Sequence, residues 1–352
     1  MRKHTLISSL PLVTLVITFS SCGSGKSDDK KDPTAAENER YDNLLKDKIG
    51  VFKPLPTADP NLSPALVNLG RHLYFDKRLS RKETISCNSC HNLATYGVDN
   101  KPTSPGDEGK NGERNSPTTY NAFLHIAQFW DGRAATVEEQ AGMPILNPVE
   151  MNIPSEKFLM DRLSKVELYQ KLFKEAFPND KNPFTFDNLK KAIGAFERTL
   201  VTPTRFDKYL AGDKSALTLD EKKGLMAFIT TGCTTCHIGP GLGGNMFQKF
   251  GVHANYWEYT KSSKIDEGKY AVTKMEADKY MFKVPSLYNV EKTYPYFHDG
   301  SVSSLEEAVK IMAKIQLNVD LPQEEIQKIV TFLKSLTAEI PAELARDPFQ
   351  AS

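Results

Sequence analysis

Apolar residues recur along most of this chain at three- and four-residue spacings, the period of helices that bury one face. Ser63-Pro64 predicts a helix start, with Ser as N-cap and Pro in the first position, and Leu66, Leu69 and Leu73 follow on one face. Phe158, Leu159, Leu163, Leu172 and Phe173 predict helix across 155–177, and Leu189, Ile193, Phe196 and Leu200 do so across 187–200. Thr202-Pro203-Thr204 breaks the pattern and marks a boundary between halves. The pattern restarts at Thr218-Leu219-Asp220-Glu221, a capping-box signature. A second box, Ser304-Leu305-Glu306-Glu307, opens a helix carrying Ala308, Val309, Met312 and Ile315. The last helix spans 323–336 with Ile326, Ile329, Val330 and Leu333 inward. No series alternates as strands do, so the predicted fold is mainly α. Residues 93–119 are rich in Gly, Pro, Asn, Asp and Ser and read as a long irregular loop, a kind often functional.

The first residues follow a different rule. Arg2 and Lys3 precede an apolar run from Leu6 to Phe19, too short for a comfortable membrane span, which ends in Phe19-Ser20-Ser21-Cys22. This pattern predicts a lipoprotein signal over 1–21, with lipid on Cys22 and the mature protein exported to the periplasmic side. An ordinary secretory signal with an incidental cysteine is the alternative. Residues 22–43 are polar and read as a flexible tether. The body then divides into domains at 44–204 and 205–340, with a tail at 341–352.

Composition narrows the function classes. Among 352 residues, 45 Lys and Arg oppose 44 Asp and Glu, so no broad field exists to collect nucleic acid. Five cysteines are present; apart from Cys22, all lie in Cys87-Asn88-Ser89-Cys90-His91 and Cys233-Thr234-Thr235-Cys236-His237. None remains for a disulfide.

In CxxCH, two thiols form thioethers to heme vinyl groups and the next His reaches the iron. The competing reading is zinc held by two CxxC pairs. The separation of the pairs, the His after each and the exported location favour two covalently bound hemes c. His91 and His237 then each fill one axial position. His72, His125, His253 and His298 are further histidines, each by itself more ordinary as a surface or structural residue. Met312 by itself reads as core.

The chain resembles the bacterial diheme cytochrome c peroxidases. The resemblance rests on Gly70-Arg71-His72-Leu73-Tyr74-Phe75-Asp76, both CxxCH motifs, Arg114-Asn115-Ser116-Pro117-Thr118 and Gln128-Phe129-Trp130-Asp131-Gly132-Arg133-Ala134. Glu139-Gln140-Ala141, Pro148-Val149-Glu150-Met151, Phe282-Lys283-Val284-Pro285-Ser286-Leu287 and Tyr294-Pro295-Tyr296-Phe297-His298-Asp299-Gly300 extend it over about residues 45–340.

The resemblance implies two cytochrome c-like heme domains and reduction of hydrogen peroxide to water, with electrons from a small cytochrome c or a copper protein. It makes His91 the ligand of the peroxidatic heme, Glu150 the acid/base and Gln140 its helper. His237 and Met312 become the ligands of the electron-transfer heme, and Trp130 the relay between hemes. Asn115, with the carbonyls of Thr293 and Pro295, becomes a calcium site, and dimerisation is a further expectation. Many members carry a Gly-His pair after the first CxxCH whose His caps the first heme in the oxidised enzyme; here the pair is Gly106-Asp107. That change predicts an open first heme without prior reduction. A diheme oxidase acting on a partner protein is one alternative, known for Tyr where Met312 stands here. A diheme electron carrier is the other.

Overall fold

Helices form where the apolar periods place them, in a computed structural model that describes residue 1 and residues 33–350. The signal segment and Cys22 lie outside the described residues. The first helix among the described residues is α1 (Pro33–Leu45). In α2 (Pro64–Phe75), Ser63 Oγ accepts from the Leu66 N–H (3.4 Å), as its sequence predicts, and Leu69 and Leu73 are fully buried. The first CxxC forms a single turn, α3 (Cys87–Cys90). Residues 93–119 are irregular apart from one short 3-10 turn. Then come α4 (Val137–Leu146), α5 (Glu156–Leu163), α6 (Glu167–Ala176) and α7 (Phe186–Glu197). The second half holds α8 (Arg205–Leu210) and α9 (Leu219–Thr231), whose reciprocal Thr218–Glu221 capping box forms as expected. Gly232, left-handed at φ 99°, ends α9 and turns the chain into the second CxxCH. Two short helices follow, α10 (Tyr256–Thr260) and α11 (Tyr270–Thr273), then α12 (Leu305–Leu317), α13 (Gln323–Lys334) and α14 (Ala342–Ala345). One antiparallel pair, β1 (Phe247–Lys249) and β2 (Met281–Lys283), is the only sheet among the described residues, with Gln248 opposite Phe282.

Two apolar cores result. One packs Leu69, Leu73, Tyr74, Phe173, Ile193 and Phe196, where α2 crosses α7. The other packs Phe206, Leu225, Phe228, Ile311, Ile329 and Phe332, where α9 crosses α13. Each core thus pairs the helix that leads into a CxxCH motif with the last long helix of that half.

Several expectations need correction. The pattern over 155–177 makes two helices, because Ser164 Oγ donates back to the Asp161 carbonyl (3.0 Å) and Val166 turns extended. Ser304 caps α12 by accepting from the Glu307 N–H, and its hydroxyl donates to Glu306, but the return bond from the Ser304 N–H to the Glu307 carboxylate that a reciprocal box requires is not made. Within the expected tether, residues 33–43 belong to α1, which docks on α9. There Lys222, 2% exposed, reaches Asp42 (3.0 Å) and Asn38 (3.2 Å). Leu45 and Phe52 belong to the second core, since their side chains fill space beside Phe206 and Leu225. The expected tail also folds. Leu344 and Ala345 pack on the first core, Arg71 on α2 donates to the carbonyls of Glu343 and Arg346, and Phe349 lies under Arg78.

Candidate functional site

The local fold around each CxxCH motif fixes one imidazole. His91 follows α3, where the Ser86 N–H donates to Ser89 Oγ (2.9 Å), and its carbonyl accepts from the buried Tyr74 hydroxyl (2.7 Å). His91 Nδ1 lies 2.9 Å from the Pro117 carbonyl and His237 Nδ1 lies 3.0 Å from the Leu242 carbonyl. A carbonyl only accepts, so both rings carry hydrogen on Nδ1 and keep the Nε2 lone pair free. That is the tautomer a metal-bound His needs. Burial lowers the basicity of both rings and keeps them neutral.

Two cavities receive these groups. One, of about 1260 Å³, is lined by Cys87, Cys90 and His91 together with Glu150 and Gln140. The other, of about 420 Å³, is lined by Cys233, Cys236, His237 and Met312. No cysteine of either pair is in a disulfide. Each cavity thus offers two thiols and one free imidazole nitrogen, the donor set that covalent heme attachment uses. The second adds a thioether. Both cavities share a wall that includes Asn115, His125, Trp130 and Lys283. Trp130 stands in it because the turn of residues 128–134 closes with the Gln128 N–H on the Ala134 carbonyl (2.7 Å), and its indole N–H donates to the Asn115 carbonyl (2.9 Å).

Glu150 sits at the end of a turn that begins with Asn147-Pro148. Asn147 Oδ1 accepts from the Val149 N–H (3.0 Å) while its Nδ2 donates to Glu150 Oε1 (2.7 Å). Burial pushes the Glu150 carboxyl above the ordinary glutamate range, against that hydrogen bond and the positive Arg133. Gln140 lines the same cavity from α4, yet the hydrogen bond to the carboxylate comes from Asn147. Sequence reasoning missed Asn147, although Asn-Pro two residues before a Val-Glu pair is a turn signal. A second buried carboxyl, Glu197 on α7, also lines this cavity, and burial and Glu138 push it up to about 8.

Asp107 faces away from the cavity chemistry. Its carboxylate accepts from the Lys82 N–H (2.7 Å) and the Thr84 hydroxyl (2.5 Å), while its own N–H donates to the Glu150 carbonyl (2.8 Å). The loop after the first CxxCH is therefore clamped to the segment that carries Glu150.

Asn115 Nδ2 donates to the Lys101 and Pro102 carbonyls (2.9 and 3.4 Å), which leaves its Oδ1 without a donor among the described residues. Thr293 and Pro295 line the smaller cavity with it.

Comparison with known proteins agrees with this geometry. Residues 64–215 match the family described as Di-haem cytochrome c peroxidase. The chain is 42% identical to the Cytochrome c551 peroxidase of Nitrosomonas europaea over 342 residues, 97% of this chain and 94% of that one. It is 41% identical to the Cytochrome c551 peroxidase of Pseudomonas aeruginosa over 338 residues, 94% of this chain and 93% of that one. Among solved structures, a MauG-like protein associated with microbial copper homeostasis superposes with a TM-score of 0.73 at 28% identity, covering 85% of this chain and 97% of that one.

Proposed function

From the premise that the chain belongs to the di-haem cytochrome c peroxidase family, we propose how its own residues divide the work. The protein is an oxidoreductase that reduces hydrogen peroxide with electrons from a cytochrome donor, and it carries two c-type hemes. Heme c, when bound, supplies the iron that binds peroxide and the redox centre that stores the donor's electrons.

Cys87 and Cys90 would hold the first heme and His91 its iron; Cys233 and Cys236 would hold the second, with His237 and Met312 supplying its iron ligands. Glu150 would take a proton from one peroxide oxygen and return it to the other, so that the O–O bond breaks and one water leaves; two electrons from the cytochrome donor and two protons from solvent then turn the remaining oxygen into the second water. The observation that carries this role is a half-buried carboxyl, raised in pKa and held by Asn147, on the cavity that also holds Cys87, Cys90 and His91. A carboxyl whose pKa is raised toward the operating pH suits a general acid/base. Asn147 orients it, and Gln140 lines the peroxide side. Trp130, in the common wall, is the electron relay. A thioether opposite His raises the potential of the second heme. Met312→Leu should therefore lower that heme's midpoint potential in a redox titration and slow electron entry, leaving the first heme unchanged. An unaltered potential would remove Met312 from the ligand set.

Asp107 extends the reading to the resting state. Tied to Lys82 and Thr84, it keeps its loop against Glu150 and would supply no ligand to the first heme. The expected result is peroxide-dependent oxidation of a reduced small cytochrome c that starts without a lag from fully oxidised protein. A lag abolished by one-electron reduction would reject the open resting site, while absence of turnover with any cytochrome donor would reject the assignment of this site to peroxide.

Calcium at Asn115 Oδ1 with the Thr293 and Pro295 carbonyls completes the proposal, because oxygen donors suit that ion. Export, lipid on Cys22 and dimerisation belong to the same reading. No helix among the described residues is long and apolar enough to cross a membrane.

A further inference from the structure

Lys283 ends β2 and is only 6% exposed, yet no carboxylate lies within ion-pair distance of it among the described residues. Its N–H donates to the Trp130 carbonyl (2.8 Å), which fixes it beside the wall tryptophan. Its Nζ lies 2.9 Å from His125 Nδ1. Two nitrogens at that distance share one hydrogen, so the pair carries at most one positive charge. An imidazole that accepts at Nδ1 bears its own hydrogen on Nε2. That Nε2 is buried without any partner.

The neighbouring charges do not relieve the pair. Asp131, whose charge reaches Lys283, already takes Arg114 (2.6 Å) and Arg133 (2.9 Å), and Asp266 takes the other side of Arg114. His298, stacked on Phe282, adds a second orphaned Nε2 to the same wall. The site is nevertheless built. A Cβ on Gly244 would fall 2.1 Å from His125 Cδ2, so the loop after the second CxxCH keeps room for this ring only through a glycine at φ 75°. Burial lowers Lys283 to about 7. A buried ammonium with only a neutral partner is costly, and an anion removes that cost.

Both Lys283 and His125 line both cavities. Heme c brings anions to such a wall, since its propionate side chains are carboxylates. We propose that Lys283 and His125 form a carboxylate site in the wall between the cavities, where the ammonium, steadied by His125 Nδ1, holds a heme propionate. The inference rests on the diheme reading but not on peroxide chemistry.

Redox titration of the matured diheme protein followed by absorption tests it without peroxide. In Lys283→Met, one heme should become harder to reduce, its reduction equilibrium constant falling by about tenfold or more, because a positive charge near the iron in a low-dielectric wall is lost. Lys283→Arg should recover most of that shift. Unchanged potentials in Lys283→Met, with both heme spectra intact, would overturn the proposal. Should Lys283→Met fail to mature, the crystal structure of the wild-type holoprotein decides. A propionate oxygen within hydrogen-bond distance of Lys283 Nζ supports the site, and propionates paired entirely elsewhere overturn it.

Discussion

Glu150→Gln should lower peroxide turnover by about 10²–10⁴-fold while both heme absorption spectra stay unchanged. The amide keeps the size of the side chain and still offers an oxygen to Asn147 Nδ2, so the turn from Asn147 to Glu150 should persist. What it loses is the ability to take a proton and give it back. The pH profile provides a second readout. Glu150 must be ionised to accept the peroxide proton, and burial raises its pKa. Wild-type turnover should therefore rise with pH as the carboxyl ionises, with a midpoint above the ordinary glutamate range, and fall as pH drops through it. The variant should lose that limb. Steady-state oxidation of a reduced cytochrome c across pH measures both effects, and a variant with wild-type turnover would reject Glu150 as the acid/base.

Gly70→Ala and Gly224→Ala should each destabilise the protein by about 3 kcal/mol, at the upper end of what overpacking costs. A Cβ on Gly70 would lie 1.8 Å from the Ala192 carbonyl oxygen, and one on Gly224 would lie 2.1 Å from the Lys328 carbonyl oxygen. Both obstacles are backbone, so no side chain can swing aside, and α2 must lift from α7, or α9 from α13. Gly112→Ala is the control, because nothing lies within 4 Å of its added carbon. Urea unfolding monitored by circular dichroism reads the difference. Equal midpoints for Gly70→Ala and Gly112→Ala would show that the crossing adjusts freely.

Those two glycines show what a single sequence conceals. Gly70 stands 17 residues before Cys87, whereas Gly224 stands nine before Cys233, so the shared helix crossing leaves no common spacing to read. The elements themselves were legible, because Ser63, Thr218 and the apolar faces of α7 and α13 announce their helices locally. So were the two CxxCH motifs that line the cavities, because each is contiguous in sequence. The groups that tune the site were not. Asn147, the clamp at Asp107 and the Lys283–His125 pair depend on contacts across 3, 43 and 158 positions respectively, the clamp joining Asp107 to Glu150. Only the first falls within the reach of turn chemistry. The break between α5 and α6 was missed because apolar spacing continues across it while Ser164 closes the helix through its own hydroxyl.

The crossing of the chain ends has a consequence for modularity. Residues 33–55 precede the first half but cover the second core, and residues 340–349 follow the second half but cover the first. A cut at Thr202-Pro203-Thr204 would therefore yield two fragments, each missing a piece held by the other. The first would bare the apolar surface under Leu344, and the second would keep neither half of its contact with α1 once Leu45 and Phe52 were gone. The unit that repeats, one helix pair around one CxxCH motif, is thus smaller than the unit that can be excised, which is the entire strapped body. A swap of one half for a relative's would have to carry the opposite terminus along with it.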